Sequence, residues 1–162
     1  MGRVIPNEQT YVCFIDTTPG IASATLAPTA AEVSGGVDLT GFLMSINASA
    51  QGNQVPTPSL DSLFETSIVG TSQATFTADF YRDDSADTAW DTFPRGTKGF
   101  VVISRFGGSG TDQLPIAGDV VEVWPIEVVS RTAAAMQNNA VQTFTITCAV
   151  NIVPNEAATV LA

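Results

Sequence analysis

The chain contains no histidine. That absence removes Ser-His-Asp and Cys-His catalytic arrangements and takes away the commonest metal ligand. Cations are scarce too: six Lys and Arg stand against sixteen Asp and Glu, a net charge of −10. Proteins that grip nucleic acid use Lys and Arg to displace counterions from phosphates, so this balance counts against a DNA-gripping role. Charge of either sign is sparse, with 14% charged residues against roughly 25% in typical soluble domains, which suggests surface hidden against partners. The two cysteines, Cys13 and Cys148, each sit in an apolar, strand-like run and read as buried free thiols. No secretory signal is visible at the start, and no apolar run approaches the roughly 20 residues of a membrane span. A soluble protein made in a cytoplasm is expected.

Strand signals dominate what is there. From Val141 to Val153, Phe144, Ile146, Cys148, Val150 and Ile152 alternate with Thr143, Thr145, Thr147, Ala149 and Asn151. Alternation of period two predicts one buried and one polar face, making the first five a candidate core face. Ala74, Phe76, Ala78 and Phe80 alternate with Thr75, Thr77, Asp79 and Tyr81 in the same way. Further strands are expected at Tyr11–Asp16, Val37–Ile46, Phe100–Phe106 and Asp119–Ser130. The last two are apolar on both faces in places, and Pro125 should mark an edge or a bulge because it cannot donate a ladder hydrogen bond.

One helix reads well, from about Ser85 to Phe93. Asp83 and Asp84 offer N-cap oxygens, Asp87 and Asp91 favour the positive end of the dipole, and Pro94 limits the span. Three stretches read as irregular: the N-terminal arm 1–10, the segment 51–70, and the glycine-rich turn Gly107–Gly110. The segment 51–70 holds Pro56, Pro58, Leu60, Leu63 and Phe64. Loops longer than about 12 to 15 residues are uncommon unless they do something, so these five form a candidate assembly loop. The whole points to one domain over 1–162, mainly β, a β-sandwich or barrel-like fold with one short flanking α-helix.

No residue is nominated for catalysis, and no cofactor is expected. The glycine-rich turn lacks the Lys-Ser/Thr of a phosphate-binding loop. Asp83, Asp84, Asp87 and Asp91 lack the Asp-x-Asp-x-Asp-Gly spacing of a calcium loop and read better as cap and dipole partners. Trp90, Trp124, Tyr11 and Tyr81 lie in apolar periodic runs, where core packing is the plainer reading. They also supply the alternative, a carbohydrate-binding β-sandwich with or without a calcium requirement.

One region carries a specific pattern. Phe80-Tyr81-Arg82-Asp83-Asp84, then Ala89-Trp90-Asp91, then Pro94-Arg95-Gly96-Thr97-Lys98-Gly99-Phe100 resembles the major tail tube proteins of siphophages infecting actinobacteria. Gly118–Val128, Asn138–Val150 and Leu60–Glu65 are similar to later and earlier segments of that family. The likeness spans about Thr40 to Pro154 and is poorest at the N-terminal arm and Gly107–Leu114. Where the family often has Arg after a glycine, this chain has Thr71 after Gly70.

The resemblance implies a non-enzymatic structural subunit of the virion tail, with the arm 1–10 and the segment 51–70 as assembly elements. Copies would form hexameric rings that stack into a tube, each contributing a sheet around the lumen. DNA would pass through without specific binding, and the tape measure, tail tip and terminator proteins would be neighbours. Independently, unpaired strand edges recruit other strands, and a closed ring of subunits leaves none free.

Overall fold

The computed structural model describes residues 9–58, 64 and 66–162. Its strands are β1 (Tyr11–Asp16), β2 (Val37–Asp38), β3 (Leu43–Thr57), β4 (Thr66–Tyr81), β5 (Lys98–Ser104), β6 (Val120–Ala133), β7 (Thr143–Ala149) and β8 (Asn155–Thr159). Two five-residue helices, α1 (Ala30–Ser34) and α2 (Thr88–Thr92), lie between them. All strands belong to one antiparallel sheet in the order β2-β1-β5-β6-β7-β4-β3, with β8 added beside β6.

The sheet curls so that its two halves face each other. Val12, Phe14, Val101, Ile103, Trp124 and Ile126 from one half share a core with Phe76, Ala78, Phe80, Phe144, Ile146 and Cys148 from the other. Phe76 meets Trp124 at 6.3 Å between centroids, and Phe93 bridges Phe14 and Phe80 at 5.2 and 5.4 Å. The opposite face of β1, β5 and β6 is buried as well, because α1 and β8 cover it. Tyr11, Cys13, Ile15, Val102 and Val123 pack there with Val33, Ala158 and Val160. Strands covered on both sides need continuous apolar runs, which is why Tyr11–Ile15 is buried at every position.

The expected fold class stands, with two α-helices among the described residues where one was expected. The missed helix α1 carries a capping box: Thr29 N–H donates to Glu32 Oε2 at 2.7 Å, and Glu32 N–H to Thr29 Oγ1 at 3.2 Å. The expected helix is shorter than its signals. Asp87 sits at its N-cap without capping, because its carboxylate turns to Arg82 Nη2 at 2.6 Å. Asp83 Oδ1 instead accepts from the backbone and hydroxyl of Ser85, both at 2.9 Å, in the turn before the helix.

Three strand expectations need correction. Val37–Ile46 is interrupted by a 3₁₀ turn, Thr40–Phe42, where Asp38 Oδ1 accepts from Thr40 N–H and the Thr40 hydroxyl bonds both backbone groups of Val12. Along the candidate face of β7, burial falls off toward its end. Phe144, Ile146 and Cys148 are buried, Val150 is half-buried past the strand end, and Ile152 is 58% exposed in the following loop.

The third correction is the largest. Most of segment 51–70 is paired strand rather than irregular loop, with partners from Gln51↔Gln73 to Thr57↔Thr66. Both faces of this hairpin lie in solvent, so no in–out alternation marked it. Pro56 fits there because β3 is the sheet's edge strand, which has no second neighbour needing an N–H. Pro125, expected at an edge or a bulge, lies in the interior strand β6 and away from both of its register shifts. It lies opposite Phe100 of β5, at the gap between the β8 pairing, which ends at Val123, and the β7 pairing, which starts at Glu127.

Candidate assembly surface

The half of the sheet made by β3, β4, β7 and the end of β6 is covered on one face only. Registers Ser45↔Asp79↔Thr145↔Thr132, Asn47↔Thr77↔Thr147↔Ser130 and Ser49↔Thr75↔Ala149↔Glu127 place small polar residues side by side on the open face. Hydroxyls knit it together. Ser45 Oγ donates to Asp79 Oδ2 at 2.6 Å, Thr145 Oγ1 to Asp79 Oδ1 at 2.5 Å, and Ser49 and Thr75 share a bond of 3.1 Å. The Ser45 and then the Thr145 hydrogen bond hold the Asp79 carboxyl below the ordinary aspartate range. At the far end Glu127 pairs with Lys98 at 3.5 Å and accepts from Asn151 at 3.0 Å.

Among the described residues, this four-stranded wall has two free flanks. On one side β3 presents its outer edge along 15 residues. On the other, β5 stops pairing with β6 at Lys98↔Glu127, a turn bond from Val128 N–H to Thr97 O follows, and on the side away from β7 no described strand flanks residues 129–133. Val129 is 50% exposed there. The edge at β1 is closed instead: Leu39 N–H donates to Val12 O, and the Thr40 hydroxyl bonds both polar groups of Val12.

Beyond Thr75, β4 leaves β7 behind and continues with β3 as a two-stranded arm. The paired stretch is about 30 Å long, at roughly 3.3 Å per residue, and its base lies beside 150–157. Gly70 and Thr71 stand opposite Asn53 alone, a bulge that reverses the alternation of β4. A Cβ on Gly70 would meet Val55 at 3.0 Å, and one on Gly52 would meet Val69 at 3.2 Å, so a side chain at either position would make the facing valine give by a few tenths of an ångström. The result is an arm with apolar side chains on both faces. Val55 pairs with Ile68 on one, and Val69, 78% exposed, lies on the other. An isolated hairpin is marginal in water, and exposed apolar surface of this kind marks an interface.

Among the candidate assembly residues, Pro56 lies in the arm, Pro58 just past it, and Phe64 is 77% exposed. Leu60 and Leu63 lie outside the described residues, as does most of the expected N-terminal arm. Sequence reading missed Ile68 and Val69. Their signal was an apolar pair inside a stretch of Thr, Ser and Gly with no charge.

The aromatic platform required by carbohydrate binding does not form. Trp124 and Tyr11 are buried in separate cores, and Trp90 is taken up by Arg82 and Arg131, 4.0 and 3.6 Å from its ring. Among the described residues, no three His, Cys, Asp or Glu side chains are placed to hold a metal. Burial pushes both thiols up to about 12, with Asp38 adding to the effect at Cys13. The two thiols belong to different core clusters. They act as small apolar side chains.

The sequence profile of the phage tail tube protein family matches residues 2–162. The chain belongs to that family. It is a structural tail tube subunit, and its place is the virion tail. Solved structures share the fold at low identity. A chain of a native gene transfer agent virion aligns with a TM-score of 0.57 and 12% identity, covering 96% of this chain and 100% of its own. A chain from the tail of an empty gene transfer agent particle, refined with C6 symmetry, gives 0.57 and 14% over 96% and 100%. One from the sheath/tube terminator of an extracellular contractile injection system gives 0.61 and 11% over 96% and 99%. No curated protein matches the sequence.

The residues that carried the tail tube resemblance form one packing unit. Arg82 and Trp90 stack together, with Trp90 edge-on to Phe144 at 5.1 Å. Gly96 turns the chain at a φ of +89°, its N–H bonding Val128 O. Gly99 lets Phe14 cross β5, since a Cβ there would lie 2.4 Å from the Phe14 ring.

Proposed function

We propose that six copies of this tail tube protein close a ring by pairing the outer edge of β3 on one subunit with the free flank of β6, residues 129–133, on the next. One observation carries this reading: a single four-stranded wall has two open flanks, on opposite sides, while the β1 edge is closed. The directions agree. β3 runs antiparallel to β6 within the subunit, and rotation about a ring axis preserves strand direction. The joint between subunits is therefore antiparallel, like every pairing between strands inside the subunit. Six-fold order is supported by the C6 symmetry of the gene transfer agent tail.

In this reading the open hydroxyl face of β3, β4, β7 and β6 lines the channel, and the side bearing α1 and β8 faces outward. The arm reaches the adjacent ring, where both of its apolar faces find cover, and the N-terminal arm 1–10 adds a further contact. The tube belongs to a long-tailed, siphovirus-type phage of an actinobacterium, a finer identity supported by the order of the motifs from Phe80 to Phe100. It delivers the genome and meets tape measure, tail tip and terminator proteins at its ends. The subunit builds a wall and catalyses nothing.

Electron microscopy of the purified protein tests the reading. Rings or hollow tubes with six-fold symmetry are expected as concentration rises. A chain that stays monomeric at high concentration across several salts ends it.

A further inference from the structure

We propose that the loop between β6 and β7, residues 134–142, is the surface that receives the arm of a second copy of this chain from the next ring. This rests on the reading of the arm as the contact between rings and names what the arm meets there.

Position gives the first argument. Leu43↔Phe80↔Phe144↔Ala133 is a row of the wall near one of its ends. The chain leaves β6 there, passes through 134–142 and returns as β7, with Ala134 N–H donating to Thr143 O and Arg82 N–H to Gln142 O. At the other end Thr75↔Ala149 closes the β4–β7 pairing, and the arm continues past it. Loop and arm therefore lie at opposite ends of one wall. A copy shifted along the strands brings its arm to this loop. A copy turned end for end sets arm against arm or loop against loop, and the contact stops at two. Only the shifted arrangement repeats without limit, as a tube requires.

Chemistry gives the second. The loop is exposed throughout, with Met136 at 85% and Val141 at 69%, and Tyr81 at its base is exposed as well. Apolar side chains gathered in water on one surface mark a contact site. From Thr132 to Asn155 the sequence holds no charged residue, and none occurs in the arm from Gln51 to Pro58 or from Thr66 to Gln73. Between subunits of net charge −10, most contacts would set acid against acid. These two surfaces escape that. Asp83 and Asp84 stand beside Gln142 at the edge of the loop, exposed, in the manner of a polar rim around an apolar contact. Such a contact gains from buried area and not from ion pairs. Salt screens exposed charges to about 10 Å at 0.1 M, so it should weaken repulsion between acidic rings and favour stacking.

Two kinds of purified ring test the pairing. Ile68→Asp/Val69→Asp rings lack a working arm, and Met136→Asp/Val141→Asp rings lack a working loop. All four residues are exposed, so circular dichroism should show an unchanged fold. Neither kind should stack alone, even at about tenfold the concentration that gives wild-type tubes, because each contact would desolvate unpaired carboxylates. Mixed, they offer one intact arm surface and one intact loop surface. Electron microscopy should then show pairs of rings that grow no further. A mixture that remains single rings, or loop-variant rings that stack like wild type, overturns the proposal. So does a folded loop variant that forms no rings, which would place 134–142 in the joint within a ring. Arm-variant rings that stack by themselves defeat instead the reading of the arm on which the proposal rests.

Should the loop variant melt before forming rings, wild-type tubes decide. Cryo-EM that finds the arm against 134–142 of the adjacent ring upholds the pairing, and an arm seated elsewhere overturns it. Tubes that fall apart as salt rises from about 0.1 to about 0.5 M would reveal a contact made by charges, and would equally overturn it.

Discussion

Arg131 stacks its guanidinium 3.6 Å from the ring of Trp90 and donates from Nη1 to that residue's own carbonyl at 2.7 Å. The contact ties the free flank of β6 to α2. The flank is paired with β7 on one side only, and this side chain adds a tie to α2. Arg131→Ala should cost about 2 kcal/mol, from one cation–π contact and one charge-assisted hydrogen bond. Arg131→Lys should restore less than half, since an ammonium cannot stack flat on the indole while donating in plane. Urea unfolding of the monomer at constant m-value measures both. Equal stability of the Ala and wild-type proteins defeats the account.

The two ends of the β7 alternation should respond differently to truncation. Phe144 is 1% exposed and stacks on Phe80 at 5.4 Å, so Phe144→Ala should destabilise the fold by about 3 to 5 kcal/mol. Ile152 stands in solvent, so Ile152→Ala should fall within about 0.5 kcal/mol of wild type. Thermal melts of the two variants decide. A large loss at Ile152 means that loop is covered even in the monomer.

What was legible in the sequence follows from how many faces each strand buries. β1 and β7 bury one or both faces against residues of fixed type, so alternation or a solid apolar run announces them. The arm buries neither face in the monomer. Its pattern of Thr, Ser, Gln and Gly with two prolines carries no period, and only pairing across the hairpin reveals it as strand. Asp79 was readable as the polar partner of Phe80 on a strand. Its bonds to Ser45 and Thr145 depend on three strands aligned in register, which no local pattern encodes. The short α2 was overextended because Asp83 looked like its cap but holds the preceding turn at Ser85, while Asp87, read as a dipole partner, stands at the N-cap with its carboxylate drawn to Arg82. The Thr29–Glu32 capping box was in plain view and marks the helix that was missed.

The loop between β5 and β6 is held by one carboxylate. Asp119 accepts from Ser109 N–H at 2.8 Å, from Ser109 Oγ at 2.7 Å and from Ile116 N–H at 2.9 Å. The two backbone bonds and then the hydroxyl bond hold its carboxyl below the ordinary aspartate range. A depressed folded-state value means the contribution is complete above the unfolded value and is lost as pH falls through the folded one. Amide protection at Ser109 and Ile116, relative to intrinsic exchange, should therefore be flat near neutrality and decline in acid below the ordinary aspartate range. Asp119→Asn should lower it at neutral pH as well. Protection that does not change with acid, in the wild type, defeats the assignment.

The arm separates folding from assembly. Its described residues are exposed from Gln51 to Pro58 and from Thr66 to Gln73, and it contributes nothing to either core cluster. A charge placed on it should leave the body's melting temperature unchanged. The same charge at an interface that buries both faces is expensive, because a desolvated carboxylate without a partner costs several kcal/mol. The bulge at Gly70 and Thr71 puts Ile68 and Val69 on opposite faces, so Ile68→Asp and Val69→Asp probe the two faces separately. If the arm is covered on both sides, each variant alone should abolish stacking into tubes, and Phe64→Asp near the tip should do the same. Rings should survive, because the β3 and β6 flanks that close them lie in the body. Electron microscopy with circular dichroism reads both properties. Normal tubes from Ile68→Asp but none from Val69→Asp would restrict the contact to one face, and normal tubes from both remove the arm from assembly altogether.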